Sequence, residues 1–112
     1  MPRKLERINV SLDIILEWAS GRRQARVSDI SLGGCFIDSI ANLREGDAVA
    51  FQLQVSETEW LPLAGEVVYA MPGFGFGIRF APLTDQQKIL LEHLILMHGG
   101  NPWGGDLQEA GA

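Results

Sequence analysis

The chain has 112 residues, 46% of them hydrophobic and 21% charged, which suits one domain with a modest core and excludes a disordered polymer. A single cysteine, Cys35, excludes an intrachain disulfide framework and a multi-cysteine zinc site, and fits a reducing compartment. The net charge of −5 excludes a broadly basic surface for nucleic acid, so neither DNA nor RNA is an expected partner.

Residues 1–9 read as a charged arm ahead of the first regular element. The apolar stretch that follows is interrupted by Asp13 and Glu17, where a signal peptide needs an unbroken hydrophobic run. Residues 10–18 alternate, with Val10, Leu12, Ile14, Leu16 and Trp18 on one face and Ser11, Asp13 and Glu17 on the other; Ile15 is the exception. That period predicts a half-buried strand. Ser20-Gly21 predicts a turn into a hairpin partner over 22–29, with Ala25 and Val27 inward. After Gly33-Gly34 a short strand is expected from Cys35 to Ile40. The turn Arg44-Glu45-Gly46-Asp47 leads to Val49, Phe51, Leu53 and Val55, again at period two. A loop at 56–59 precedes a strand through Leu61, Leu63, Val67 and Tyr69, with a bend or bulge expected at Gly65. Pro72-Gly73 then turns the chain into Phe74, Phe76, Ile78 and Phe80. Six short strands at this spacing predict an antiparallel barrel or sandwich, since closure removes exposed edges.

Helical character is confined to the end. Thr84 and Gln87 match a capping box, Asp85 suits the positive end of a helix dipole, and Ile89, Leu90, Leu91, Leu94, Ile95 and Met97 supply an apolar stripe. Gly99-Gly100 is the expected stop. This helix is too short and too interrupted to span a bilayer, and it is expected to cover an open end of the barrel. Thus 10–98 form the barrel and closing helix, and 99–112 are expected to be a flexible tail. With no leader and no membrane segment in view, a cytoplasmic protein without membrane insertion is expected.

Charge is unevenly placed. Residues 1–26 carry Arg3, Lys4, Arg7, Arg22, Arg23 and Arg26 against Glu6, Asp13 and Glu17, a net of +3, and the rest of the chain carries −8. A local cationic region on an acidic protein suits a small anion better than a long polyanion. Arg3 and Arg7 form an RxxxR spacing whose guanidinium forks can pair with phosphate oxygens and stack on a flat base. Asp29-Ile30-Ser31-Leu32-Gly33-Gly34 contains DxSxxG. The two acceptor oxygens of Asp29 match two parallel donors such as those on the guanine edge, Ser31 offers a hydroxyl, and backbone N–H groups near Gly33 and Gly34 can approach a ligand closely. The alternative is a strand-ending turn in which Asp29 caps backbone donors and the glycines supply positive φ.

Taken together, RxxxR before the first strand and DxSxxG at the end of the second resemble the PilZ domain family of cyclic di-GMP receptors. The resemblance runs over residues 3–97 and takes in Gly46-Asp47, LPLAGEVVY, GFGIRF and the closing helix. It implies a six-stranded antiparallel β-barrel of the PilZ split-barrel type with a C-terminal α-helix. It also implies a site where the N-terminal arm folds over the barrel. By the same resemblance Arg3 and Arg7 would grip phosphates and guanine faces, Asp29 and Ser31 would meet guanine edges, and Gly34 would keep the turn tight. Lys4, Gly33 and Arg79 are secondary candidates. Glu6, directly before Arg7, opposes an anionic ligand.

The expected protein is therefore a single-domain receptor or adaptor that takes cyclic di-GMP as its ligand, orders its arm on binding and signals to a separate effector protein. It would be a monomer or weak homodimer, with no cofactor, no metal and no catalytic role. His93 and His98 do not match a helical metal-ligand pair, and no nucleophile–base constellation is visible. Two alternatives stand beside this reading. One is a PilZ-fold interaction module that binds no nucleotide. The other is a single-stranded nucleic-acid binder, for which the acidic balance after residue 26 leaves little room for a basic groove.

Overall fold

The computed structural model describes residues 7–102; Arg3, Lys4, Glu6 and the tail beyond 102 lie outside them. Six strands run β1 (Ile8–Trp18), β2 (Gly21–Ile30), β3 (Gly34–Asp38), β4 (Ala48–Gln54), β5 (Trp60–Met71) and β6 (Gly75–Phe80), followed by one helix, α1 (Asp85–Met97). All the strand pairs are antiparallel, in the order β1-β2-β3-β6-β5-β4, and β4 returns to β1, so the sheet closes into a barrel. Closure follows from the patterning. Ile14, Leu16, Val27, Ile37, Phe51, Leu53, Val67 and Phe76 are each at most 1% exposed, whereas Asp13, Glu17 and Arg26 between them face solvent. A strand with one apolar face can only bury it against others of its kind, and a closed ring does so without leaving an edge.

The helix lies where its caps predict. The Thr84 hydroxyl accepts the Gln87 N–H at 3.1 Å, and the Gln87 side-chain oxygen accepts the Thr84 N–H at 2.8 Å. The Gln87 amide also donates to the Pro62 carbonyl at 2.8 Å, which fixes the helix to β5. Leu91, Leu94 and Ile95 complete the core. His98 is the C-cap, and Gly99 follows at φ +84°, a conformation that glycine adopts without a Cβ penalty.

Several elements differ from expectation. β1 begins at Ile8, two residues early. β3 ends at Asp38, which leaves Ile40 77% exposed. Gly65 stays in register with Val49 on one side and Phe80 on the other, and the bulge falls between Val67 and Tyr69. The glycine is needed for another reason, since a Cβ there would lie 2.3 Å from the Arg79 carbonyl oxygen. The bulge turns Tyr69, which alternation would place inward after buried Val67, to the outer face, where it is 46% exposed. Phe74 precedes β6 in the turn and is exposed. On α1, Ile89 and Met97 are also exposed, because the barrel end contacts a narrower arc of the helix than the apolar stripe offers.

Candidate ligand-binding site

The DxSxxG segment joins β2 to β3, and each of its residues has a distinct local role. Ile30 is fully buried and anchors the end of β2. Ser31 is 3% exposed; its N–H donates to the Gly34 carbonyl at 2.8 Å, and its hydroxyl accepts the Gly33 N–H at 3.1 Å and lies 3.4 Å from the Gly34 carbonyl. The Gly33 carbonyl in turn accepts the Phe80 N–H at 2.9 Å. Ser31 is thus the internal brace of the turn, and the Gly33 N–H is already engaged by it. Gly34 pairs with Arg79 across β3–β6, and a Cβ at Gly34 would sit 2.0 Å from the Ile78 carbonyl oxygen. Neither glycine has positive φ: among the described residues only Gly46, Gly73 and Gly99 do. Gly34 is therefore required by the close passage of β6.

Asp29 lies just before this turn, after a register shift in β2 between Val27 and Asp29 that leaves it partly exposed between buried Val27 and Ile30. Arg7, just ahead of β1, donates from Nε at 3.0 Å and from Nη2 at 2.5 Å to the same Asp29 oxygen. One member of the RxxxR pair and the carboxylate of DxSxxG are therefore in contact, although 22 positions separate them in sequence. Arg3 and Lys4 lie outside the described residues. Arg79 projects from β6 and donates to the Glu66 carboxylate on β5, its cross-strand neighbour.

Arg7, Ser31, Gly33, Gly34, Val68, Ile78 and Arg79 line an open cavity of about 430 Å³. Small-molecule sites commonly span about 300–1,000 Å³. Four other clefts among the described residues offer no cation. One is lined entirely by neutral residues between 39–43 and 70–76, and the other three carry Glu59, Glu17 or Asp47 and no cation. An anion therefore finds cationic forks in the cavity bounded by Arg7 and Arg79.

Beneath the ion pair, Cys35 is fully buried next to Ile30. Burial pushes its thiol well above the usual range; the Arg7 charge opposes that slightly and the Asp29 charge adds to it. The thiol is thus a small apolar filler. Among the described residues no group of three or more His, Cys, Asp or Glu is placed to hold a metal ion, and no helix is long and apolar enough to cross a membrane.

Three features of the surface had no sequence signal of their own. Asp29 pairs with Phe36, Phe36 with Gly77, and Gly77 with Tyr69. One outer row therefore carries the carboxylate and then two rings whose centroids are 6.1 Å apart. Gly77 permits this, since a Cβ there would lie 2.2 Å from the Tyr69 ring. The next outer row is Gly34–Arg79–Glu66. Phe36 and Glu66 join the site only through barrel register, and Tyr69 through the bulge that follows Val67.

The family model described as PilZ domain matches residues 2–97. No curated protein matches the chain. Among solved structures, the PilZ domain of YcgR from Escherichia coli with c-di-GMP superposes with a TM-score of 0.70 at 15% identity, covering 87% of this chain and 91% of that one. The PilZ domain of CeSA from a cellulose-synthesizing bacterium gives 0.66 at 22% identity, covering 84% of this chain and 98% of that one. The PlzA protein of Borreliella burgdorferi in complex with c-di-GMP gives 0.65 at 18% identity; the match covers 83% of this chain but only 40% of that longer one.

Proposed function

We propose, from the premise that this chain belongs to the PilZ domain family, that it is a receptor for cyclic di-GMP and reads the nucleotide on the outer face of its barrel. The observation that carries this is the contact of Arg7 with Asp29 at the rim of a cavity also lined by Arg79. The ligand is a guanine dinucleotide with two phosphodiesters. Asp29 has the acceptor geometry for a guanine edge, and Arg7 and Arg79 have the forks for phosphate.

Binding then exchanges one set of charge-assisted bonds for another. Arg7 leaves Asp29 for a phosphate or a base face, Asp29 turns to a guanine edge, and Ser31 holds the turn rigid throughout. Arg3 and Lys4 supply further cationic contacts from the arm ahead of β1, which orders over the barrel. The rearranged arm would present a new face to a separate effector protein, a population shift between two states. The protein acts in the cytoplasm as a monomer or weak homodimer, and performs no chemistry on the nucleotide.

Isothermal titration of the full chain with cyclic di-GMP tests this. Saturable heats with defined stoichiometry are expected. Each lost charge-assisted hydrogen bond costs about 1.5–3 kcal/mol, so Arg7→Ala should weaken binding at least about tenfold. A folded wild-type protein whose heats match a buffer blank would instead leave the interaction-module reading, in which Arg7–Asp29 merely pins the start of β1 to β2.

A further inference from the structure

The two cations of the cavity are each held by a carboxylate, but the two carboxylates differ in what they offer a ligand. Asp29 faces the side where a base edge can replace Arg7. Glu66 sits at the far end of the row Gly34–Arg79–Glu66, one strand beyond Arg79, and its contact is with the Arg79 guanidinium. The side chains of Arg79 and Glu66 are 66% and 45% exposed. Water therefore screens the pair, and it is readily exchanged. Register fixes the geometry: Glu66 is one strand beyond Arg79 and two beyond Gly34, and adjacent strands lie about 4.8 Å apart, so a phosphate that reaches Arg79 over Gly34 sits within roughly 10 Å of the strand that carries Glu66.

From this we infer that Glu66 is an affinity-setting residue, an internal anion that competes with a ligand phosphate for Arg79. The inference rests on the reading of this surface as a cyclic di-GMP site and deepens it. Glu66 acts in the same direction in both states. In the free protein it holds the Arg79 fork, so that only a fraction of molecules present an open cation, and the apparent affinity falls by that fraction. In the complex, its charge repels the phosphate that has displaced it. Asp29 has no such double effect, because a base edge offers it replacement donors. The arrangement tunes the site toward a higher ligand concentration without altering Arg7 or the braced turn.

The test is titration of the full chain with cyclic di-GMP, for wild type, Glu66→Gln, Arg79→Gln and the double variant, with thermal melts as the folding control. Glu66→Gln keeps the side chain's length and removes its charge. It should tighten binding by about three- to fivefold, the scale of an exposed charge pair, while the melting temperature stays nearly unchanged. The gain should vanish on the Arg79→Gln background. It should also shrink as salt rises from about 0.1 M to about 1 M, over which the Debye length falls from ~10 Å to ~3 Å. A folded Glu66→Gln protein that binds as the wild type does, or more weakly, overturns the inference. So does a gain that persists without Arg79. If wild type binds and Arg7→Ala weakens it while Glu66→Gln has no effect, the receptor reading stands and this one falls. If folded wild type does not bind at all, both fall.

Discussion

Arg7 and Asp29 hold one another with side chains 47% and 31% exposed, and a pair so open to solvent adds at most about 1 kcal/mol to stability. On the proposed receptor reading their effect on a ligand is larger, because each exchanges the other for a direct contact, Asp29 with a guanine edge and Arg7 with a phosphate or base face. Asp29→Ala should therefore leave the unfolding midpoint almost unmoved while weakening cyclic di-GMP binding at least about tenfold; a variant that loses both together would mark the pair as a fold staple. Cys35 behaves in the opposite way. In the unfolded chain its thiol ionises near pH ~8.5, whereas burial keeps the folded thiol protonated far above that. Above pH ~8.5 the folded state binds more protons than the unfolded one, so stability is fully present below that value and declines as pH rises through it. Urea midpoints from pH 7 upward should show this fall in wild type and a weaker one in Cys35→Ala, and a thiol reagent should react only on unfolding. At this scale much was legible in the sequence. The combination of RxxxR and DxSxxG marked Arg7 and Asp29 as candidates, but nothing local marked Glu66, which lies opposite Arg79 only through strand register.

The segment from 29 to 34 is where local chemistry and tertiary packing meet. Ser31 closes the turn through its own hydroxyl, as a serine two residues before a glycine can. Gly34 answers to a strand more than forty positions later, since its missing Cβ makes room for the Ile78 carbonyl. Gly34→Ala should force β3 from β6, lower stability by about 1–3 kcal/mol and weaken ligand binding by shifting Arg79 relative to Asp29. Binding at wild-type strength in a destabilised Gly34→Ala protein would show that the cavity does not depend on this strand spacing. The strands themselves were readable from their period, and α1 from its capping box, because both signals are local. Strand ends and the β5 bulge were not. Gly65 looked like the irregular point, yet it sits in register with both neighbours, and the extra residue falls at Val68, inside the β5–β6 pairing and just beyond the last β4 pair at Glu66.

The whole barrel is held by one core that α1 completes. Leu91 is fully buried among the same cluster as Phe51 and Phe76, so Leu91→Ala should cost about 2–5 kcal/mol in a single cooperative unfolding transition. A separate early loss of helix signal would instead show that the helix is an independent unit. Composition, period-two alternation and the capping box by themselves determined a β-rich chain with a terminal helix, and the RxxxR and DxSxxG spacings marked its candidate site, because propensity, patterning and side-chain chemistry act over a few residues. Only the tertiary structure decided which groups share the site. Closure in the order β1-β2-β3-β6-β5-β4 laid Asp29 beside Phe36 and Tyr69 and set Arg79 between Gly34 and Glu66. Arg7 and Asp29, which the two motifs offered as separate ligand-binding candidates, are each other's partners in the fold. Register is a property of paired strands, so no single stretch of sequence carries it.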